Sequence, residues 1–238
     1  MLQAALNGAR EVTEHPALPI TPDQLAADAR AVRAAGAAEI HVHPRDAGGD
    51  ESLLPATVAP AVAAIRAAAP GMPVGVSTGA WIEPDRDRLL AHVRAWAELP
   101  GPERPDYASA NCGEPGALDV MAALAAGGLG IEAGIATAAE VDVLSSSPFA
   151  ATVVRVLVEP DEQDPAAAVA LAGSIEDALA RAGVTAPRLH HGVGVATWAV
   201  IAAAAGRRLS VRIGLEDVLT LPDGAPAAGN AELMAALG

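Results

Sequence analysis

The sequence from residue 39 to residue 78 reads EIHVHPRDAGGDESLLPATVAPAVAAIRAAAPGMPVGVST. It begins with a short apolar run at residues 39–43 and ends with another at residues 73–78. Between them, from about Leu54, lies an Ala-rich segment whose apolar residues recur at helical spacing. Short strands that alternate with longer helices are typical of βα units, which form parallel sheets. This stretch therefore predicts one strand–helix–strand unit.

The same alternation continues along the chain and amounts to eight units. The candidate strands cover residues 2–7, 39–43, 73–78, 106–111, 129–134, 152–159, 187–191 and 210–216. Helices are predicted to begin near Pro22, Leu54, Pro84, Pro115, Thr137, Pro165 and Gly194, and an eighth covers residues 231–237. Eight equal units in 238 residues predict the α/β class and a closed (β/α)8 TIM barrel, with residues 1–238 as a single domain.

The composition excludes several classes of function. The 15 basic and 29 acidic residues leave a formal charge of −14, and a field of that sign repels nucleic-acid phosphates and anionic membranes. Every basic residue is Arg. Without Lys, the chain cannot form the Schiff base of a lysine-dependent aldolase or supply the Lys of a Walker loop. We therefore expect no nucleic-acid partner and no membrane partner.

Other segments indicate the compartment and argue against one cofactor. The apolar runs are much shorter than the roughly 20 residues of a membrane span, and the first residues lack the apolar stretch of a signal peptide. The lone Cys112 allows no internal disulfide, so we expect a cytoplasmic protein. Gly192-Val193-Gly194 lacks the third Gly of a dinucleotide fingerprint, which argues against a nicotinamide cofactor.

The ends of the predicted strands carry the candidate metal ligands. His41 and His43 alternate with Val42, so both imidazoles point to one side of their strand. A catalytic zinc site uses three protein ligands and keeps a position open for water or substrate. Glu216 is the expected third ligand, because barrel closure returns the last strand to the first, which neighbours the second. On the alternative interpretation, the two histidines are structural residues without a metal.

Further polar residues lie at the same predicted edge. Arg212 and Asp217 flank Glu216, where a guanidinium beside a carboxylate can set up a general base; a structural ion pair is the alternative. Glu159 is close to the end of the sixth strand, and its direction, toward the site or toward solvent, is left open. The other candidates for binding or catalysis at the mouth are Ser77, Thr78, Ser109, Asn111, Glu132, Arg10 and His191.

Taken together, these motifs resemble the β-keto acid cleavage enzyme family. In chain order they are LNGAR (6–10), HPALPITP (15–22), AGAAEIHVHPRD (35–46), STG (77–79), HG (191–192), RIGLED (212–217), LPDG (221–224) and GNAEL (229–233). The resemblance implies a zinc-dependent (β/α)8 barrel that converts a β-keto acid and acetyl-CoA into acetoacetate and a new acyl-CoA. It also implies a homo-oligomer, a tetramer or larger.

The resemblance also implies roles for individual residues. His41, His43 and Glu216 match the zinc ligands, and Asp217 with Arg212 matches the acid/base pair. Ser77 and Thr78 match the loop that binds the substrate carboxylate, while Ser109 and Glu132 match further hydroxyl and carboxylate contacts. Arg10 replaces an acidic residue of the members that accept an amino-substituted keto acid, so the resemblance implies an anionic or neutral substrate tail.

Two other interpretations remain open at this point. The same metal site would polarise other carbonyl groups in a metal-dependent aldolase or hydrolase that works without CoA. Alternatively, an inactive barrel binds a small carboxylate or serves as a subunit of an assembly, and the 52% of hydrophobic residues covers its interfaces.

Overall fold

A computed structural model describes residues 1–237, and in these residues eight parallel strands form a closed barrel in the order β1 to β8. The strands are β1 (Leu2–Ala5), β2 (Glu39–Val42), β3 (Val74–Val76), β4 (Tyr107–Asn111), β5 (Gly130–Ile135), β6 (Arg155–Val158), β7 (Arg188–His190) and β8 (Ser210–Ile213). Closure pairs β1 with both β2 and β8. The predicted TIM barrel is thereby confirmed.

Helices follow the strands and surround the barrel. They are α1 (Pro22–Ala34), α2 (Pro55–Ala68), α3 (Arg86–Trp96), α4 (Ala117–Ala126), α5 (Val141–Ser145), α6 (Pro165–Arg181), α7 (Thr197–Gly206) and α8 (Asn230–Ala235). Short 3₁₀ turns at Ala138–Glu140 and Gly194–Ala196 precede α5 and α7. Helix α1 begins at Pro22 with a capping box, in which the side chains of Thr21 and Gln24 each accept a hydrogen bond from the N–H of the other residue.

Successive side chains along each strand point alternately outward, toward the helices, and inward, into the barrel. Side chains that point outward, such as those of Ile40, Val42 and Val76, join the apolar core between the sheet and the helices. Side chains that point inward are mostly polar, and the floor of the barrel is a buried network. There Gln3 Nε2 donates to Tyr107 Oη at 2.9 Å and to Glu132 Oε2 at 3.0 Å.

Several predicted boundaries are wrong. The sixth strand begins at Arg155 instead of residue 152, because residues 149–152 form a hydrogen-bonded turn. The last strand ends at Ile213 instead of residue 216, because the chain turns there and Asp217 N–H donates to the Gly214 carbonyl. None of the helices within residues 1–237 is long and apolar enough to cross a bilayer.

Candidate active site and metal centre

Three side chains converge at the C-terminal mouth of the barrel. His41 lies on β2, His43 directly follows that strand, and Glu216 lies three residues after β8. The two Nε2 atoms are 3.1 Å apart, and carboxylate oxygens of Glu216 lie 3.8 Å from His41 Nε2 and 3.5 Å from His43 Nε2. Closure of the barrel through β1 therefore brings together residues that are more than 170 positions apart in sequence.

This cluster fits a divalent cation. One possible ligand atom from each residue lies within 4.8 Å of the other two, and two imidazoles with a carboxylate are a donor set of catalytic zinc sites. The Oε2 atom of Glu216 is buried and has no hydrogen-bond partner within residues 1–237. Buried polar atoms in proteins are nearly always paired, so this oxygen is available as a metal ligand.

The charge states of His41 and Glu216 suit metal binding. Burial lowers the pKa of His41 well below its usual range, which keeps the ring in the neutral form that ligates metals. Burial by itself raises the pKa of Glu216, but Arg212 and the two histidines outweigh it and hold the pKa well below its usual range. Glu216 is therefore an anion at neutral pH. Burial lowers the pKa of His43, but Glu216 and Glu51 outweigh it and raise the pKa to about 9, so a metal ion must displace the proton of this ring.

Glu51 orients the imidazole of His43 from the side opposite the candidate metal site. Its carboxylate hydrogen-bonds to Nδ1 of His43, and its second oxygen accepts a hydrogen bond from Trp81 Nε1 at 3.1 Å. Trp81 also stacks beside His43, with ring centroids 6.3 Å apart. Since Nδ1 of His43 is occupied, Nε2 is the nitrogen that points to the candidate metal site.

Arg212 joins the metal cluster to a second carboxylate. Its Nη2 atom lies 2.5 Å from Glu216 Oε1 and 2.9 Å from Asp217 Oδ1. Asp217 is almost fully buried, and its other oxygen has no partner in the part of the chain that the structure describes. Arg212 thus fixes the Asp217 carboxylate in a position where one oxygen stays free.

A histidine and a third carboxylate continue this line. His191 Nδ1 lies 3.2 Å from Asp217 Oδ1, and His191 Nε2 lies 3.3 Å from Glu159 Oε2. Burial and the nearby Arg212 lower the pKa of His191, but Asp217 and Glu159 outweigh them and raise it to about 9. His191 faces inward, whereas His190 points outward and bonds to Glu176 on α6 at 2.8 Å.

These groups line one cavity of about 240 Å³ at the mouth. Most of the residues predicted for the site lie in its wall, and Glu159, whose direction the sequence left open, faces it as well. The wall also contains apolar groups. The lining residues are Ala9, His41, His43, Ser77, Trp81, Ser109, Asn111, Leu157, Glu159, His191, Val193, Arg212, Glu216 and Asp217.

Three predicted site residues lie elsewhere. Glu132 was expected at the end of its strand, but β5 continues to Ile135, so Glu132 lies in the buried floor, 2.5 Å from Arg155 Nε. The Thr78 hydroxyl donates to the Ser109 carbonyl at 2.6 Å, and Thr78 borders a separate cavity of about 210 Å³. Arg10 donates from Nε to the Leu215 carbonyl and from Nη1 to Glu14.

Sequence reasoning missed four residues that support the site. Glu51 and Trp81 come from loops, where no strand alternation indicates which way a side chain points. Gly8, with φ +56°, packs directly against the Glu216 side chain. Asn230 accepts from the Leu215 N–H at 2.6 Å and donates to the Leu6 carbonyl at 2.8 Å. The LNGAR motif included Gly8 and the GNAEL motif included Asn230, but neither motif indicated a supporting role for these residues.

A family model described as beta-keto acid cleavage enzyme matches residues 1–155. The chain belongs to the beta-keto acid cleavage enzyme family. The matched part includes His41, His43 and Glu51, whereas Arg212, Glu216 and Asp217 follow it in sequence. In this family member, the barrel thus joins matched and unmatched residues in one site.

Solved structures with the same fold include ObcA. Its binary complex with oxaloacetate has 19% sequence identity to this family member and a TM-score of 0.74, and its ternary complex with a C4-CoA adduct and oxalate has 20% and 0.75. Each match covers 92% of this chain and 62% of ObcA, so the chain spans about three fifths of the ObcA length. An N-acetylmannosamine-6-phosphate 2-epimerase from Clostridium perfringens is 13% identical, with a TM-score of 0.58. This match covers 91% of this chain and 87% of the epimerase chain.

Proposed function

We propose that this family member binds zinc and converts a β-keto acid and acetyl-CoA into acetoacetate and a new acyl-CoA. In this reaction the bond between the α- and β-carbons of the keto acid breaks. The acyl fragment joins the CoA sulfur, and the carboxymethyl fragment joins the acetyl group. The observation that carries the proposal is the convergence of His41, His43 and Glu216 beside the Arg212–Asp217 pair in a chain of this family.

His41, His43 and Glu216 would hold the zinc ion. When bound, zinc supplies Lewis acidity at a carbonyl oxygen and makes the adjacent α-proton more acidic. The remaining chemistry falls to the side chains around it. Ser77 and Ser109 present hydroxyl groups to the same cavity, where they are placed to bind the substrate carboxylate by hydrogen bonds.

Asp217 is the base in this proposal. Its free oxygen, Oδ2, is available to take the proton from the α-carbon and to return it to the acetoacetate product. Arg212 holds the other oxygen at 2.9 Å, so the carboxylate cannot rotate freely. His191, at 3.2 Å from that same oxygen, holds it from another side.

The solved ObcA complexes support the choice of substrates. Oxaloacetate carries a keto group β to one of its two carboxylates, and the ternary complex contains a CoA adduct. A β-keto acid and a CoA adduct are therefore ligands of a barrel with this fold. A homo-oligomer in the cytoplasm, as a tetramer or a larger assembly, stays part of the proposal.

Metal analysis combined with an isotope-labelled assay tests the proposal. Purified protein should contain zinc in stoichiometric amount, and label from the acetyl group of acetyl-CoA should appear in acetoacetate when a β-keto acid is added. The His41→Ala variant should lose both zinc and product, while His92→Ala, on the outer helix α3, should keep both. Zinc without CoA-dependent product would favour the metal-dependent aldolase or hydrolase, and wild-type protein without metal would rule out the site.

A further inference from the structure

Two hydrogen-bond acceptors, the side-chain oxygens of Asn111 and Glu159, lie on either side of Gly134 in the cavity wall. Asn111 ends β4 and Glu159 directly follows β6, and between them Gly134 on β5 has no side chain. The Asn111 Oδ1 and Glu159 Oε1 atoms both occupy the space that a side chain at residue 134 would fill. The glycine thus lets the two oxygens approach each other across the strand that separates them.

The orientation of the Asn111 amide is determined by its other end. Asn111 Nδ2 donates to Glu114 Oε1 at 2.8 Å, and the second oxygen of Glu114 accepts from the Ala80 N–H at 3.0 Å. A carboxylate accepts hydrogen bonds and does not donate them. The amide nitrogen must therefore face Glu114, and the amide oxygen must face Gly134 and Glu159.

Neither acceptor has a donor of its own. Glu159 uses Oε2 toward His191 at 3.3 Å, and no hydrogen bond reaches Glu159 Oε1 or Asn111 Oδ1 from any described residue of the chain. Two oxygens that both carry lone pairs repel each other unless a donor lies between them. The site therefore favours a ligand that brings an O–H or N–H group to this point.

The cations beside the cavity are already paired with carboxylates of the protein, and His191 lies between Asp217 and Glu159. Arg212 is held by Glu216 and Asp217, and Arg10 is directed at the Leu215 carbonyl and Glu14. A carboxylate placed beside Glu159 would meet a like charge, which is unfavourable in a partly buried site. The sequence implied an anionic or neutral substrate tail from Arg10, and in the structure the Arg10 guanidinium donates to the Leu215 carbonyl and to Glu14.

We propose that Asn111 and Glu159 select β-keto acids whose side chain ends in a hydrogen-bond donor, a hydroxyl or an amino group, and reject those that end in a carboxylate. This inference rests on the proposed function, because it assumes that the keto acid lies between the metal ligands and this acceptor pair. The two residues would act on substrate choice by direct contact with the end of the substrate side chain.

Binding measurements on the zinc-loaded protein, without acetyl-CoA, test the inference. Four β-keto acids of equal length, ending in amino, hydroxyl, methyl and carboxylate groups, are compared by calorimetry. Wild-type protein should bind the amino or the hydroxyl compound about tenfold more tightly than the methyl compound, as expected for one good hydrogen bond, and the carboxylate compound most weakly. The ranking of the amino and hydroxyl compounds identifies which donor is preferred.

Three variants make the comparison specific. Glu159→Ala and Gly134→Ala should reduce the preference for the donor compound to about onefold while binding of the methyl compound stays within about twofold, and Glu162→Ala, at an exposed position in the same loop, should keep the wild-type preference. Equal binding of all four compounds by wild-type protein, or an unchanged preference in Glu159→Ala, would overturn the inference. Selective binding without any acetoacetate formation would instead count against the proposed reaction and leave the acceptor pair supported.

Discussion

The Nδ1 atom of His43 is hydrogen-bonded to the carboxylate of Glu51, which lies in the loop after β2. The same loop is tied back to the strand end by an antiparallel bridge between Arg45 and Glu51. Trp81, from the next βα loop, donates to the other oxygen of Glu51. The end of β2 and the two loops that follow β2 and β3 therefore direct one imidazole nitrogen toward the candidate metal site.

Replacement of Glu51 by Gln should weaken zinc binding about 10- to 100-fold, the usual effect of losing a carboxylate behind a metal-bound histidine. The amide fills the same space but no longer raises the basicity of the ring. Competition with a chromogenic chelator measures the dissociation constant directly. Asp50→Asn, at the exposed neighbouring position, is the matched control, and equal affinities for the two variants would show that Glu51 has no part in metal binding.

Replacement of Asp217 by Asn should leave zinc content unchanged and reduce the rate of α-proton exchange into D2O by about 10²- to 10⁴-fold, the range expected for the loss of a general base. Exchange is followed by NMR on a β-keto acid with zinc-loaded enzyme and no acetyl-CoA. The amide can still accept from Arg212, so the fold of the site is kept. Wild-type exchange in the variant would assign the base to another residue.

Replacement of Gly8 by Ala should weaken zinc binding beyond its effect on stability. Gly8 has φ +56°, and an added Cβ would collide with the Glu216 side chain. The backbone strain alone costs about 1–2 kcal/mol. Gly71→Ala, with φ +80° and open space around it, shares the strain without the collision. If both variants lose stability and only Gly8→Ala loses zinc, the contact with Glu216 explains the difference.

The carboxyl group of Asp28 on α1 makes the unfolding free energy depend on pH. Burial raises its pKa from 3.8 to about 6, although Asn230, which donates to it at 2.6 Å, acts in the opposite direction. A carboxyl whose pKa is raised by folding stabilises the fold below its unfolded pKa, and this contribution is lost as the pH rises through the folded value. The unfolding free energy should therefore fall by about 2–3 kcal/mol between pH 4 and pH 7 through this residue.

The comparison of variants isolates that contribution. Asp28→Asn cannot ionise, so its stability relative to wild type should increase by a similar amount between pH 4 and pH 7 in urea denaturation. Asp177→Asn, at an exposed position of α6, should show a constant difference. A parallel pH dependence of wild type and Asp28→Asn would place the carboxyl in water and remove the effect.

The barrel itself could be predicted from the sequence because its signals are local. Each strand and helix carries its own apolar period, and eight repeats of that pattern leave few other folds for 238 residues. The alternation within residues 39–43 also placed both imidazoles on one side. Glu216 followed from the connection of β8 to β1, a property of any closed barrel.

Other features depend on contacts between residues that are distant in sequence, and only the tertiary structure decided them. Glu132 lies in the floor of the barrel because β5 extends three residues beyond it. Arg10 does not line the cavity, because its guanidinium donates to the Leu215 carbonyl and to Glu14. Glu51 reaches His43 from a loop, where no periodic pattern of apolar residues indicates which way a side chain points. A sequence period reports which face of a strand or helix is buried, whereas the partner of a polar side chain is determined by the three-dimensional position of every group within reach.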